Sequence, residues 1–239
     1  MEITFFLPRF AYLEIDSLIF FPTLLISLVF LRGKRNYLAL LKSILLVDPF
    51  YLLWDFIATW KDSWSFNPQY VMGIYVIDLP IEEIIFFLVT PFATLTIYDF
   101  MRDRIAKNIF IKHSENDRII KTELILSSLF LLTVGFIILP SHSYTAIDLI
   151  YLSSFLLLSS FQNPHIFASK YFWEFMGLTY IPFFIFDFFL TYLPVVIYGP
   201  RSILGIRVIS IPIEDFIYSF SMIGFYLIFY IYFSEKITS

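Results

Sequence analysis

Two short acidic motifs stand at the start of long apolar segments. The first, "DLPIEEIIFF", carries Glu82 and Glu83 just after Pro80, and the second, "SIPIEDFIYS", carries Glu214 and Asp215. A carboxylate inside a membrane helix costs roughly 2.5 to 3.5 kcal/mol on insertion scales. Helix capping is the alternative explanation, but it stabilises by only about 0.3 to 1 kcal/mol. We therefore expect Glu82 and Glu214 to do more than cap a helix and to serve in proton transfer, whereas capping is the preferred explanation of Glu83 and Asp215.

Two further acids lie among aromatic residues, far from any predicted helix start. Asp55 stands in "LLWDFIATW" and Asp187 in "FIFDFFLTY". Each of them either pairs with a buried partner, such as Arg207 or a tyrosine hydroxyl, or takes part in chemistry. Loss of water and the presence of other acids both favour the neutral carboxylic acid, which is the form that general acid catalysis needs.

The chain is rich in aromatic residues, with 31 Phe, 16 Tyr and 4 Trp. Most of them are expected to pack or to face lipid. The aromatic residues beside the acids could also turn the negative faces of their rings toward a cation; these are Trp54, Phe86, Phe87, Phe186 and Tyr218. Combined with acids that hold a proton, such rings describe a site that makes and holds a carbocation.

The composition indicates an all-α integral membrane protein. Of the 239 residues, 59% are hydrophobic and 15% charged, and the mean hydropathy of +0.80 exceeds that of soluble domains. Continuous apolar runs favour helices over a barrel. Seven runs approach the length of about 20 residues that crosses a bilayer; they lie near 10 to 31, 38 to 59, 80 to 100, 122 to 140, 145 to 161, 171 to 192 and 212 to 233.

The sequence contains an internal repeat. A shift of 132 residues aligns the two halves without a gap and superimposes their unusual residues, placing Asp55 on Asp187, Pro80 on Pro212, Glu82 on Glu214 and Tyr12 on Tyr144. Each copy crosses the membrane an odd number of times, so the second copy would start on the opposite side and run upside down. A fourth helix between the copies restores its direction. This predicts a 3+1+3 plan with parallel repeats: residues 1–107, a linker and connecting helix over 108–140, and residues 141–239.

This plan brings the acids together and orients the chain. Each of these acids lies near the end of its helix on the same side of the membrane, so the carboxyl groups should form one layer. Basic residues collect at the opposite ends, notably in the segment 101 to 121. The positive-inside rule then places the N-terminus outside and the C-terminus in the cytoplasm of a multi-pass protein of the cell membrane.

Several other chemistries lack sequence support. The seven glycines form neither GxGxxG nor a P-loop. Cysteine is absent, and His113, His142 and His165 have no partner at metal-ligand spacing. We therefore expect no cofactor and no metal, and the small net charge of −4 argues against a nucleic-acid partner.

The segments "LPIEE" and "IPIED" resemble the PxE(E/D) signature of the membrane lycopene cyclases. In that family two three-helix units occur as separate subunits in some bacteria and are fused in archaea, and this chain is similar to the fused form over nearly its whole length. The stretch "LGIRVISIPIED" also resembles the Gly-x-Arg lead-in of the family, whereas Tyr75 stands where the second copy has Arg207. The two halves are therefore not expected to be equivalent.

The resemblance implies an isomerase that closes β-ionone rings on lycopene or a related linear carotenoid without net redox change. Glu82 and Glu214 would act as general acid and base, in an order that the sequence leaves open. Asp55 and Asp187 would tune them or act as alternative donors, while the neighbouring Glu83 and Asp215 would support them through hydrogen bonds. Arg207 joins the five aromatic residues as a candidate for substrate binding. Expected partners are the carotenoid, membrane lipid and other carotenoid-pathway enzymes.

Two alternatives remain open at this stage. A proton-coupled transporter of small solutes can have the same 3+1+3 plan, with membrane carboxylates as coupling sites. A related carotenoid hydratase, or a cyclase acting on longer C50-type carotenoids, would share the cation chemistry. Product analysis and an uptake assay would distinguish these activities.

The missing nucleotide-binding motifs yield a first prediction. Purified protein in lipid should convert lycopene to a cyclic product with neither flavin nor nicotinamide added, because protonation and deprotonation of an alkene need no electron carrier. Pigment chromatography after incubation measures the conversion. A strict requirement for either cofactor would contradict the prediction.

Overall fold

The computed structural model describes residues 7–104 and 117–238. This part of the chain forms seven long helices, each long and apolar enough to cross a membrane. They are α1 (Ala11–Phe30), α2 (Tyr37–Trp60), α3 (Ile81–Arg104), α4 (Asp117–Ile138), α5 (Ser143–Gln162), α6 (Lys170–Tyr192) and α7 (Ile213–Thr238). The predicted all-α class and the 3+1+3 plan are confirmed, and the chain is a multi-pass membrane protein. Most of the predicted basic linker, residues 105 to 116, lies outside the described residues.

Six short strands, which the sequence did not predict, lie at the carboxyl-bearing end of the bundle. They are β1 (Trp64–Phe66), β2 (Tyr75–Val76), β3 (Leu79–Pro80), β4 (Val196–Tyr198), β5 (Arg207–Val208) and β6 (Ile211–Pro212). Strands β2 and β3 form a hairpin that leads into α3, and β5 and β6 form its counterpart before α7. Ile77 and Ile209, at equivalent places in the two hairpins, both have φ of 60°. This conformation is rare for a β-branched residue, so the repeat extends to the details of the backbone.

Strands β1 and β4 join the two repeats. They pair antiparallel, with Trp64 opposite Tyr198, Ser65 opposite Ile197 and Phe66 opposite Val196. Under the 132-residue shift Ser65 corresponds to Ile197, so a pseudo-twofold axis passes between these two residues. Two backbone hydrogen bonds flank the pair symmetrically, each 2.9 Å long, from Asn67 to Val195 and from Gly199 to Ser63. The equivalent acids of the two repeats therefore meet around one axis.

The helix packing departs from this symmetry. Helix α1 packs along α3 and α5 packs along α7, as the repeat requires. Helix α2 also packs closely along α7, whereas the equivalent helices α6 and α3 touch much less. Pro22 in α1 and Pro182 in α6 each remove an intrahelical hydrogen bond in the two helices that border the loosely packed region. An open cleft remains between α1, α3 and α6.

A buried ion pair holds the opposite end of the first repeat together. Arg35 lies 3.3 Å from Asp99, and both side chains are almost fully excluded from solvent. Arg35 also donates to the Thr96 hydroxyl at 2.6 Å, and Asp99 accepts from the Tyr230 hydroxyl at 2.8 Å. Breaking a buried pair strands a charge, which typically costs about 3–5 kcal/mol. This cluster therefore fixes α3 and α7 against the loop that joins α1 to α2.

This contact predicts the effect of Arg35→Met. The substitution removes one of the two guanidinium groups beside Asp99 and leaves Arg102, which lies 3.1 Å from the other carboxylate oxygen. The free energy of unfolding in detergent should therefore fall by about 1.5–3 kcal/mol, the range for one contact to a charged group. The matched control is Arg32→Met in the same loop, because Arg32 is exposed. Equal stability of the two variants in denaturant titrations would show that the ion pair does not stabilise the fold.

Candidate active site

A cavity of about 360 Å³ lies between α1, α3, α6 and α7. Its walls are largely apolar, and strands β1 and β4 cover it at the end where the repeats join, through Trp64, Phe66, Val196 and Tyr198. Four carboxylic side chains line this covered end, two from each repeat: Asp55, Glu83, Asp187 and Asp215. The cavity thus combines an oily interior with a group of acids at one end.

The first repeat contributes the pair Asp55 and Glu83. Their carboxyl groups lie within hydrogen-bonding reach of each other. Glu83 also accepts a hydrogen bond of 2.6 Å from the Tyr12 hydroxyl. Only 1% of Asp55 and 8% of Glu83 is exposed, so the pair faces the cavity and not bulk water.

The second repeat contributes the pair Asp187 and Asp215, whose carboxyl groups are also within hydrogen-bonding reach. Asp215 accepts hydrogen bonds from Tyr144 at 2.6 Å and from Tyr198 at 2.7 Å. Asp215 is buried, whereas Asp187 is only half-buried and lines the cavity wall. Asp215 therefore accepts from one more phenol than Glu83 does, and the aspartate on α6 is more accessible than the one on α2.

The closeness of the two carboxyl groups in each pair is compatible with only one negative charge per pair. An ionised carboxylate has no hydrogen to donate, so two carboxyl groups can hydrogen-bond only when one of them is protonated. Two adjacent negative charges in a site shielded from water would also repel each other strongly. The phenols donate to Glu83 and Asp215, which favours the negative charge on these two and the neutral form on Asp55 and Asp187. The cavity thus contains proton donors and proton acceptors side by side.

Tyr198 makes the two pairs unequal. The equivalent residue in the first repeat is Phe66, which has no hydroxyl. Burial raises the pKa of Tyr198 well above its usual range, and the neighbouring Asp215 and Asp187 act in the same direction. The phenol therefore stays protonated and acts as a donor. The Tyr198 ring stacks on Tyr144 at 5.8 Å and lies 5.5 Å from the Arg207 guanidinium.

Glu82 and Glu214, for which the family resemblance implies proton transfer, do not line the cavity. Both are fully buried. Glu82 accepts a hydrogen bond of 2.6 Å from the Met72 backbone N–H, and Glu214 accepts one of 2.7 Å from Leu204. These contacts tie the segment before each hairpin to the start of the following helix. The acid–base roles of Glu82 and Glu214 remain a prediction, and the geometry favours their neighbours.

Two additional acids complete the carboxyl layer behind the cavity. Asp16 on α1 and Asp148 on α5 are almost fully buried, and neither oxygen of either side chain has a hydrogen-bond partner. Asp16 lies near Glu82 and Glu83, and Asp148 occupies the equivalent place in the second repeat. Within residues 7–104 and 117–238, no group of three or more acidic, His or Cys side chains has the arrangement of a metal site.

The structure places the predicted substrate-binding residues in three different environments. Phe86, Phe186 and Tyr218 line the cavity. Trp54 and Phe87 are buried in the packed core instead. Arg207 is exposed and donates to the Ser210 carbonyl, so it does not pair with Asp55 or Asp187.

The phenols that hold the acids were missed as site residues. Tyr12, Tyr144 and Tyr198 all donate to a cavity carboxyl group. Tyr12 and Tyr144 occupy equivalent positions under the 132-residue shift, and this equivalence could have identified them as site residues from the sequence. Tyr198 has no such signal, because its counterpart is Phe66.

The family profile described as lycopene cyclase matches the chain twice, over residues 9–101 and 141–233. Comparison with curated proteins gave no significant match. Comparison with solved structures gave none either. The two matched segments include all four cavity carboxyl groups and together cover well over half of the sequence. This chain therefore belongs to the lycopene cyclase family of membrane proteins.

Proposed function

We propose that this chain is an isomerase that closes β-ionone rings at the ends of a linear carotenoid such as lycopene, by proton transfer and without net redox change. The observation that carries the proposal is an apolar cavity lined at one end by two close carboxyl pairs, one from each repeat. Family membership supports a carotenoid cyclase in general. The site supplies what such a cyclisation needs, namely a proton donor, a proton acceptor and walls that exclude water.

The second pair is the better proton donor. Two phenols stabilise the anion that Asp215 carries, so Asp187 gives up the shared proton more readily than Asp55 does. Asp187 is also the more accessible aspartate. Its proton adds to the terminal carbon–carbon double bond of the polyene, and the electron pair of that bond forms the new C–H bond. A tertiary carbocation remains, which the neighbouring double bond attacks to close the ring.

The first pair is the better proton acceptor. Glu83 receives one phenol hydrogen bond where Asp215 receives two, so its negative charge is less stabilised and more basic. Glu83 takes a proton from the ring carbon next to the cation, and the electron pair of the broken C–H bond forms the ring double bond. One proton enters and one leaves, so the product is an isomer of the substrate. Transfer of the proton from Glu83 back to Asp187 restores both pairs.

The cavity walls suit the cationic intermediate. Phe86, Phe186 and Tyr218 present aromatic rings beside the carboxyl groups, and ring faces attract a positive charge by about 0.5 to 2 kcal/mol each. The adjacent anions add a larger attraction. Water, which would trap the cation as an alcohol, is excluded by the packed strands and apolar walls. These features favour cyclisation over hydration.

The carboxyl layer is proposed to lie toward the outside of the cell membrane. In this orientation the N-terminus is outside, and the C-terminus and the basic ends of the helices are in the cytoplasm. The transporter alternative is less well supported, because the cavity borders lipid-facing helices and is covered at the carboxyl end. Product analysis separates a β-cyclase from a hydratase or a cyclase of longer carotenoids.

The adjacent glutamates allow a direct test of the proposed roles. Glu82→Gln retains an oxygen that accepts from the Met72 N–H, so this variant should keep most of the cyclase activity. Glu83→Gln removes the proton acceptor and should lower ring formation at least a hundredfold, the lower range for a general base. Activity is measured as cyclic pigment in a lycopene-accumulating host, normalised to the amount of inserted protein.

The same comparison in the second repeat uses Glu214→Gln as the control for Asp215→Asn. Loss of activity in Glu82→Gln and Glu214→Gln with retention in the other two would return proton transfer to the two buried glutamates. It would contradict the roles proposed for the cavity pairs.

Tyr198 provides a further prediction. Tyr198→Phe removes one hydrogen bond to a charged group, worth about 1.5–3 kcal/mol, so the second pair becomes a weaker acid. The cyclisation rate should fall roughly tenfold or more. Tyr192→Phe, an exposed tyrosine on α6, is the control and should leave the rate unchanged. An unchanged rate in Tyr198→Phe would argue against the second pair as the donor.

A further inference from the structure

The two repeats should form two equivalent clefts, but only one of them is open. The open cleft is the cavity between α1, α3 and α6. The pseudo-twofold axis maps it onto a region between α5, α7 and α2, where aromatic side chains fill the space. Tyr51 stacks on Tyr151 at 4.4 Å, and Phe155 contacts Phe225 at 5.6 Å between ring centres.

Side-chain size explains the difference position by position. At four positions that line the open cleft, α1 and α3 have small or medium-sized residues where the equivalent positions of α5 and α7 are aromatic. Under the 132-residue shift, Ile19 corresponds to Tyr151, Thr23 to Phe155, Ala93 to Phe225 and Thr94 to Tyr226. All four small residues line the cavity. The Phe155 ring also packs so closely on Gly224 that a Cβ atom there would collide with it.

The open cleft is long and narrow and borders the bilayer. Along α3 its lining extends from Glu83 to Ile97, which is about 21 Å at 1.5 Å per residue. Leu18 and Pro22 line the cavity and are also exposed on the outer surface of α1. The cleft therefore opens sideways between α1 and α6, where the surroundings are lipid.

We propose that this cleft is a tail channel that admits one end of an elongated apolar polyene from the bilayer, with Thr23, Ala93 and Thr94 setting its width. The inference rests on the proposed cyclase function and adds how the substrate is held. The volume of about 360 Å³ is near the lower end of ligand cavities, about 300–1,000 Å³, and accommodates one end of a long polyene. The remainder of the molecule stays in lipid.

One consequence is that each time the substrate binds, only one ring is closed. A single cavity contains both carboxyl pairs, so the two ends of the substrate cannot react together. A polyene with one closed ring must leave and enter again with its other end. The channel recognises the open end inside it and is indifferent to the chemistry of the distant end.

The filled cleft supplies the substitutions that test the channel. Thr23→Phe and Ala93→Phe each copy the residue at the equivalent place in the second repeat, and each should lower the cyclisation rate at least tenfold. The control is Leu25→Phe, on the lipid-facing side of α1 and outside the cavity lining, which should remain within twofold of wild type. Gel filtration in detergent checks that each variant is folded.

A second experiment uses the unaltered protein and so does not depend on the folding of a variant. The probe is a carotenoid with one open end and a bulky polar ester at the other end, incorporated in lipid vesicles with the enzyme. Its open end should be cyclised within about twofold of the rate per end for lycopene. In a time course with lycopene itself, the monocyclic product should accumulate before the bicyclic product.

Failure to convert the blocked probe, or bicyclic product without free monocyclic product, would overturn the tail channel. Wild-type activity of Thr23→Phe and Ala93→Phe would overturn it as well. These outcomes leave the proposed function intact as long as lycopene is cyclised. If the wild-type protein forms no ring from lycopene, the proposed function itself fails.

Discussion

The site depends on the sharing of a proton between two carboxyl groups that water cannot reach. Two such groups can approach within hydrogen-bonding distance only if one stays neutral, and this occurs twice, at Asp55 with Glu83 and at Asp187 with Asp215. The surrounding phenols then decide which member carries the charge. The fold positions these groups, because the pairing of the strands at Ser65 and Ile197 places the two carboxyl pairs around one pseudo-twofold axis.

Duplication supplies the parts of the site, and divergence between the copies makes it functional. A perfectly symmetric protein would have two identical pairs and no reason for a proton to move from one to the other. Tyr198 in place of Phe66 makes the pairs unequal. The aromatic residues that fill the second cleft leave a single channel for both pairs. In the proposed reaction, one duplicated unit thus provides both the acid and the base.

The sequence predicted the parts of this account that depend on hydrophobic length and on repetition. The seven helices, the 3+1+3 plan and the convergence of the acids follow from apolar runs and the 132-residue shift. The sequence could not decide which acid of each doublet faces the cavity. Adjacent helical residues point about 100° apart, and tertiary packing alone turned Glu83 inward while Glu82 met the Met72 N–H. The short strands were missed because two- and three-residue strands give almost no periodic signal.

Infrared spectroscopy of the purified protein in lipid at neutral pH tests the shared protons most directly. The carbonyl stretch of a protonated carboxylic acid is separate from the carboxylate bands and shifts in heavy water. Such a band should appear in the wild-type protein and should be partly lost in both Asp55→Asn and Asp187→Asn. A spectrum with only ionised carboxylates, or a band that neither substitution changes, would contradict the account.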